Sequence, residues 1–476
     1  MSPVWRNHTG NQKCSPREIA HPSTLEDLVE LVKRAEERGL TVRASGARHA
    51  WSDAALTDGI MVEPDRLSGV EQVDPATVRG EYKSERLVWV RGGTHLYTLN
   101  PQLDKMGLAL RNMGGYDAQT IAGVISTSTH GSGLAFAPFP DMVRSLELVV
   151  CGGRAIRLEP ADGPTDRHAF SGGGMELVQD DARFASAICG VGTVGLLHRA
   201  MIEVRDKFWL KEVRTRDTWE KVRSTLTADG VLGRPGHYEL FVNPYPDDEG
   251  EHHLLVTVRS DCPEPHDEPP ENLERNPLTE LEASSKLTWI FLRFCARYFP
   301  SLVAKRFDSV LEEMRDSDYT NLSYKVFNIG EANHLPAYSM ELGVAVDERG
   351  RHVEAVDRIL AIASERAKEG IYHTSPFSLR FVAPSRATAS MMYGQPTMMI
   401  ELIMVAGSRG GLSLLEGYES ALADLDVRPH WGQINFLSPG RPAELYPLWE
   451  SWLETMREYN ASGVFNSPFT DRLGIS

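Results

Sequence analysis

Residues 43 to 53, Arg-Ala-Ser-Gly-Ala-Arg-His-Ala-Trp-Ser-Asp, constrain this chain more than any other stretch. A short apolar and β-branched run, Leu40-Thr-Val-Arg-Ala, leads into them. Gly46 stands where that strand has to turn sharply, a geometry that glycine adopts without steric cost. Around it are Arg43, Ala44, Ser45, Ala47, Arg48, Ala50 and Ser52, mostly small, so backbone can come close to something bulky. One histidine, His49, sits at the centre. Taken alone, such a loop is most simply a turn carrying a surface histidine. The residues downstream change that.

A chain of 476 residues is too long for one core, so two or three domains are expected. It has 50 basic and 66 acidic residues, for a formal charge of −16. That excess argues against a nucleic-acid binder, which needs a basic face to displace counterions. No run of about 18 apolar residues is present to span a membrane, and Met-Ser-Pro-Val-Trp-Arg-Asn at the start has no apolar signal core. Five scattered cysteines form no Cys-x-x-Cys pair. Their odd number fits a reducing compartment, so a cytoplasmic location is expected and the Asn7-His-Thr sequon is chance. No metal site is expected.

Residues 23 to 39 read as a helix, with a capping box of Ser23 and Glu26, apolar residues at helical spacing and Gly39 as its stop. Strands follow at 59–63 and 87–91, then a helix over about 94–106 in which His95 reads as a surface residue. This alternation predicts an α+β nucleotide-binding domain without the Gly-x-Gly-x-x-Gly of a Rossmann unit. Residues 111 to 133 are the second unusual stretch, with Gly114, Gly115, Gly123, Gly131 and Gly133 among the hydroxyls of Thr120, Ser126, Thr127, Ser128, Thr129 and Ser132. Backbone N–H groups and short hydroxyls in that density suit an anion such as a pyrophosphate. A flexible linker would lack the apolar anchors Ile121, Val124 and Ile125. A strand at 146–151 precedes a polar loop to about 180. Then come a helix from 181, the turn Gly190-Val-Gly192-Thr-Val-Gly195 and a strand to 204. That turn suits close approach to an adenine or ribose, and equally a tight helix–strand connection.

After about 206 the texture becomes alternating strands at 237–242, 254–258, 323–327, 338–344, 377–382 and 398–405. Helices at about 217–228, 279–297 and 351–369 intervene, an antiparallel sheet covered by helices. An acidic, Pro-rich linker begins at Cys262, and an amphipathic helix covers 442–459.

At this point the loops add up. Ser-Gly-Ala-Arg-His49-Ala-Trp-Ser-Asp resembles the flavin-linked histidine loop of the vanillyl-alcohol oxidase type FAD enzymes, in their aldonolactone oxidase and alditol oxidase branch. Asn112, Gly114, Gln119, Thr120, Gly123 and Thr127 through Gly133, with His130 among them, resemble that branch's second motif. Pro429-His430-Trp-Gly432 resembles a third, with Asn435 just beyond it, and Phe465-Asn466 a terminal one. The resemblance implies a PCMH-type FAD domain of residues 1–205 rejoined by 426–476, with 206–425 as a substrate cap. It implies FAD joined to His49 through its 8α-methyl carbon. It further implies a small-molecule alcohol or lactone as substrate, losing its hydroxyl proton to a base and a hydride to flavin N5, and O2 as acceptor giving H2O2.

The chain departs from that branch at its catalytic strand. A Glu-x-Arg triplet is expected there, and Ser378-Leu379-Arg380 stands in its place. Glu401, in Ile400-Glu-Leu402, is a candidate replacement acid or base, or a strand residue paired with Arg380. A glutamate inside an apolar strand should be paired or have a raised pKa. Gln433 can orient a hydroxyl and cannot take a proton. His430 is a candidate base, with flavin positioning or strand support favoured. Tyr393 is expected to line the cap pocket. Met391, Met392, Met398 and Met399 read as core, and would also suit a less polar ligand. These departures keep two alternatives open, a flavin dehydrogenase or tailoring enzyme for a more hydrophobic alcohol, and a flavin-binding protein without catalysis.

Overall fold

The computed structural model describes residues 3–227, 230–233, 235–266, 286–315, 319–329 and 337–476. The expected helix 279–297 is described from Lys286 to Tyr298, so 279–285 lie outside the described residues, as do 267–271 of the Pro-rich linker and 228 of the expected helix 217–228.

The first helix runs Leu25–Glu37 and buries Leu28, Leu31, Val32 and Ala35. Its capping box is Thr24 with Asp27 rather than Ser23 with Glu26, because the Asp27 carboxylate gathers both Ser23 and Thr24. The helix packs on a parallel three-stranded sheet, in which Ile60–Val62 lies between Glu18–Ala20 and Val42–Ala44. A six-stranded sheet follows in the order Glu176–Gln179, Arg154–Glu159, Val143–Val150, Leu196–Glu203, Leu87–Arg91 and Val70–Gln72. Two of those strands lie in what the sequence presents as a polar loop. Arg154–Glu159 buries Ile156 and Leu158, and Arg157 between them binds the buried Glu147 carboxylate.

The second half forms an eight-stranded antiparallel sheet in the order Tyr319–Leu322, Trp209–Thr218, His253–Cys262, His237–Val242, Phe377–Val382, Thr397–Val405, Ala337–Ala345 and Arg428–Pro429. Side chains alternate across each strand. Leu240, Phe377, Leu379, Phe381, Ile400, Leu402 and Leu342 point to a core covered by the helices Arg351–Lys368 and Gly411–Ala421. Glu239, Ser378, Arg380, Glu401 and Glu341 occupy the alternate positions and therefore share the opposite face.

Several elements differ from the expectation. Ser323–Phe327 is a helical turn after the strand Tyr319–Leu322, which places Val326 and Phe327 in the core. Trp209–Thr218 is an additional strand. The single helix expected over 442–459 is two, Arg441–Leu445 and Trp449–Tyr459. Pro447 forces Tyr446 into extended backbone between them. A last helix, Pro468–Leu473, is capped by Ser467.

Candidate active site

The three unusual loops meet. A Cβ on Gly46 would lie 2.1 Å from Oγ1 of Thr120, so glycine there lets the first loop pack directly on the second. Thr120 is the N-cap of the short helix Ile121–Ser126, accepting from the Gly123 N–H. Gly192 in the third loop rests against the Arg43 guanidinium. Arg43 is buried and donates to the carbonyls of Ala54, Val191, Gly192 and Phe465, binding the first loop, the third loop and the C-terminal motif together. The Val42 N–H donates to Val464 O at 2.7 Å. Three non-glycine residues adopt left-handed backbone here, Arg48 (φ 57°), Ser128 (φ 58°) and Val191 (φ 46°). For a β-branched valine that conformation is a true outlier and marks imposed strain.

The Pro-His-Trp-Gly motif closes the first loop from the other side. The Trp51 N–H donates to Gly432 O at 2.8 Å and Ser52 Oγ to Trp431 O at 2.6 Å. His49 is held among rings, 4.4 Å from His8 in a stacked arrangement, 4.7 Å from Trp51 and 4.5 Å from Tyr116 between centroids. Burial, with His8 and His430 nearby, pushes its pKa well below the ordinary imidazole value, so the ring is neutral.

These loops face the second sheet across a cavity of about 980 Å³. Of the expected cofactor residues, Arg43, Ala44, Ser45, Gly46, Ala47, Arg48, His49, Gly114, Gln119, Thr120, Gly123, Ser126, Thr127, Thr129, His130, Gly190, Gly192 and Gly195 line it. Five do not. Ser52 is spent on Trp431, and Asn435 on Gln433 O and Arg472. Asn112 donates to Ser132 O, while a Cβ on Gly131 would meet the Asn112 amide. Gly133 donates to Phe381 O and so stitches the glycine-rich stretch to the second sheet. Of the other expectations, Tyr393 is off the cavity, with its carbonyl accepting from Arg428. Met391, Met392, Met398 and Met399 are fully buried core. His95 is half-buried, with Nδ1 2.6 Å from Ala118 O.

Ser378, Arg380, Glu401, His430 and Gln433 all line the cavity. Strand register sets them in a row: Glu239 opposite Arg380, Ser378 opposite Glu401, and Glu401 opposite Glu341. Arg380 Nε donates to Glu239 Oε1 at 2.8 Å and Nη1 to Glu401 Oε2 at 3.0 Å. Glu239 also accepts from Arg259, which binds Glu212, and Glu212 pairs with Arg214. The carboxylate missing at 378 is thus supplied by the neighbouring strands. Sequence reasoning missed Glu239 and Glu341, although each is a lone glutamate in an apolar strand, the same signal that marked Glu401.

This buried cluster holds four carboxyls (Glu212, Glu239, Glu341, Glu401) against three guanidiniums (Arg214, Arg259, Arg380). Burial opposes ionisation of Glu239, but Arg380 and Arg259 outweigh it and hold the carboxyl at about 2. Glu341 is likewise buried and is brought down by His130, His430 and Arg380. Glu401 goes the other way: burial, then Glu341 and Glu239, raise its pKa in spite of Arg380. Of the two carboxyls facing one another, Glu401 therefore holds a proton more readily.

The two histidines differ in kind. His130 Nδ1 lies 2.9 Å from Gly131 O, an atom that only accepts, so that nitrogen carries hydrogen while Nε2 faces Glu341 Oε1 at 3.2 Å. His430 Nδ1 accepts from the Gly432 N–H at 3.0 Å, which leaves its hydrogen on Nε2. Burial lowers the His430 pKa to about 4. His430 is therefore neutral, with its hydrogen on Nε2. Gln433 is fixed between Ser339 Oγ, 2.7 Å from its Oε1, and Glu341 Oε2, 3.2 Å from its Nε2.

The residues present fit FAD. The loops form a glycine cradle, Ser45 Oγ is a buried hydroxyl with no hydrogen-bond partner, and the volume accommodates a dinucleotide with a substrate beside it. The family model described as FAD binding domain matches residues 16–159. The model described as D-arabinono-1,4-lactone oxidase matches residues 200–473. The L-gulono-1,4-lactone dehydrogenase of Mycobacterium tuberculosis is 28% identical, with 99% of each chain covered. The L-gulonolactone oxidase of Mus musculus is 22% identical and the alditol oxidase of a Streptomyces species 24%, each with 98% of both chains covered. The cholesterol oxidase of B. sterolicum superposes with a TM-score of 0.75 at 15% identity, over 99% of this chain and 97% of that one. That likeness concerns the fold alone, and the fold is the PCMH-type FAD-binding architecture with an antiparallel-sheet partner that the loop motifs imply.

Proposed function

This chain belongs to the D-arabinono-1,4-lactone oxidase family of FAD-dependent oxidoreductases, and from that premise we propose that it oxidises a CH–OH group of an aldonolactone or related polyol to C=O. In this reading FAD is attached through His49 in the cytoplasm, O2 is the acceptor, residues 1–205 and 426–476 hold the cofactor, and 206–425 present the substrate. The single observation that carries the reading is the row Arg380–Glu401–Glu341, backed by Glu239, which lines one cavity with His49.

When bound, FAD supplies the redox step, accepting the hydride and passing its electrons to oxygen. The chain supplies position and proton transfer. Arg380, clamped by Glu239 on Nε and by Glu401 on Nη1, cannot swing, so its guanidinium orients a substrate oxygen. Glu401 takes the hydroxyl proton; a carboxyl raised above its ordinary range is a better base near neutral pH. His430 and Gln433 donate hydrogen bonds from fixed positions, and Ser378 leaves room where a longer side chain would fill the cavity. His130 beside Glu341 offers an onward path for the proton. The neutral His49 ring is the form that bonds to carbon.

The test is an anaerobic donor screen read at the oxidised flavin band, followed by H2O2 measurement in air. Bleaching by aldonolactones or alditols with stoichiometric H2O2 is expected; bleaching only by apolar alcohols, or by none, refutes the substrate class. A second reading, a dehydrogenase, is favoured by the name of the mycobacterial relative. It predicts that the bleached flavin persists in air and recovers with a dye or cytochrome acceptor.

A further inference from the structure

Six of the eleven large hydrophobic residues exposed among the described residues fall between 290 and 302. Ile290, Phe294 and Tyr298 stand one turn apart on the helix Lys286–Tyr298, exposed by 63, 49 and 60%, with Phe291 beside them at 66%. Phe299 and Leu302, at the start of the following helix Pro300–Ala304, extend the stripe at 51 and 55%. Exposed apolar residues scattered singly need no explanation, but a contiguous patch marks an interaction site.

The charge of this segment is opposite to that of the chain. Residues 286 to 306 contain Lys286, Arg293, Arg297, Lys305 and Arg306 and no acidic residue, in a protein with a formal charge of −16. Arg293 and Arg297 flank the apolar stripe at helical spacing and are exposed. Aromatic and aliphatic residues along one side of a helix, bordered by cations, are the pattern of a helix lying in a membrane interface. Among the described residues no helix is long and apolar enough to cross a membrane. The same helix also reaches inward: Trp289, Leu292 and Cys295 line the active-site cavity, as does Leu302 from the outer stripe.

We propose that the face formed by residues 289–306 docks on an anionic phospholipid bilayer, so that the apolar mouth of the cavity opens toward the lipid surface. The excess of cations selects an anionic surface, and the exposed aromatic rings supply the apolar contact. Continuity of the patch with the cavity wall turns the opening toward the bilayer, where amphiphilic donors or electron acceptors are concentrated.

The experiment uses the full-length flavin-loaded protein and flotation with vesicles of phosphatidylglycerol mixed with phosphatidylcholine, against phosphatidylcholine alone. The protein should float with the anionic vesicles, stay at the bottom with the neutral ones, and be released by salt. Reversing charge in Arg297→Glu with Lys305→Glu should weaken binding by at least about fivefold per cation removed. Ile290→Glu with Phe294→Glu should abolish flotation while the flavin spectrum remains that of the parent, which shows an intact fold. Failure to float with either vesicle, equal flotation with both, or unchanged flotation of the variants would each overturn the proposal. So would a parent dimer in light scattering that the Ile290→Glu/Phe294→Glu variant dissociates without any vesicle binding, since the face would then join two copies of the chain. None of these readouts depends on turnover, so the outcome is independent of the substrate.

Discussion

Replacing Glu239 by glutamine tests the electrostatic frame of the site. Glu239 is buried at 3% exposure and accepts from both Arg380 and Arg259. Its carboxyl is held at about 2, against an ordinary 4.5. Each tenfold change in proton affinity is worth about 1.36 kcal/mol, so the ionised form contributes about 3 kcal/mol to stability at pH 7. That agrees with the cost of about 3–5 kcal/mol for removing one partner of a buried ion pair. The sign follows from the order of the two values. The folded value lies below the unfolded one, so the contribution is complete above about 4.5 and is lost as pH falls toward about 2. Roughly half of it remains near pH 3. Urea unfolding of parent and Glu239→Gln at pH 7 and at lower pH, followed by flavin fluorescence and far-UV circular dichroism, measures both quantities. The expected difference is about 3 kcal/mol at pH 7, shrinking with acid. A difference below about 1 kcal/mol, the range of exposed ion pairs, or one independent of pH, would refute an ionised Glu239 shared by two guanidiniums.

Other outcomes follow from the same geometry. Glu401→Gln should lower kcat/KM by about 10²–10⁴; the parent profile should rise with pH on a limb displaced above the ordinary carboxylate range, because the raised Glu401 must lose its proton to act as base, and the variant should lack that limb. In His49→Ala the flavin should pass into the supernatant on acid precipitation, while the parent pellet stays yellow; yellow supernatant from the parent sinks the covalent link. Gly46→Ala should destabilise by about 1–3 kcal/mol and reduce flavin content, since its Cβ would strike Thr120 Oγ1. Adding Thr120→Ala should recover part of that loss in a double-mutant cycle, less about 1 kcal/mol for the lost helix cap.

The site was legible in the sequence where backbone geometry forces residue type. Gly46 and Gly192 stood out as small residues in loops that pack closely, Thr120 as one of a cluster of hydroxyls and His49 as the one histidine in its loop, and the structure brings all four to one cavity. Arg380 with Glu401 could be paired in advance, since a carboxylate in an apolar strand needs a partner. The rest was hidden by distance along the chain. That Glu239 and Glu341 complete the row depends on which strands are neighbours, and sheet order follows from tertiary packing. Asn112 and Gly133 shared the composition of the cofactor loop, but the Asn112 amide is spent inside that loop on Ser132 O, and the Gly133 N–H joins the loop to the second sheet. Residues 154–159 read as loop because Arg157 interrupts their apolar pattern, and the buried Glu147 carboxylate that pairs with it is a partner that only the fold reveals.

Arg43 and Phe465 share a hydrogen bond across 422 positions of chain. On a ribosome adding about 5–20 residues per second, the first loop waits on the order of a minute for that partner. Until residues 460–465 emerge, the Arg43 guanidinium lacks one of its carbonyls and the strand Val42–Ala44 lacks Val464. The first loop is thus completed only after residues 460–465 have been made, and a polypeptide truncated ahead of residue 460 should hold less flavin than the parent.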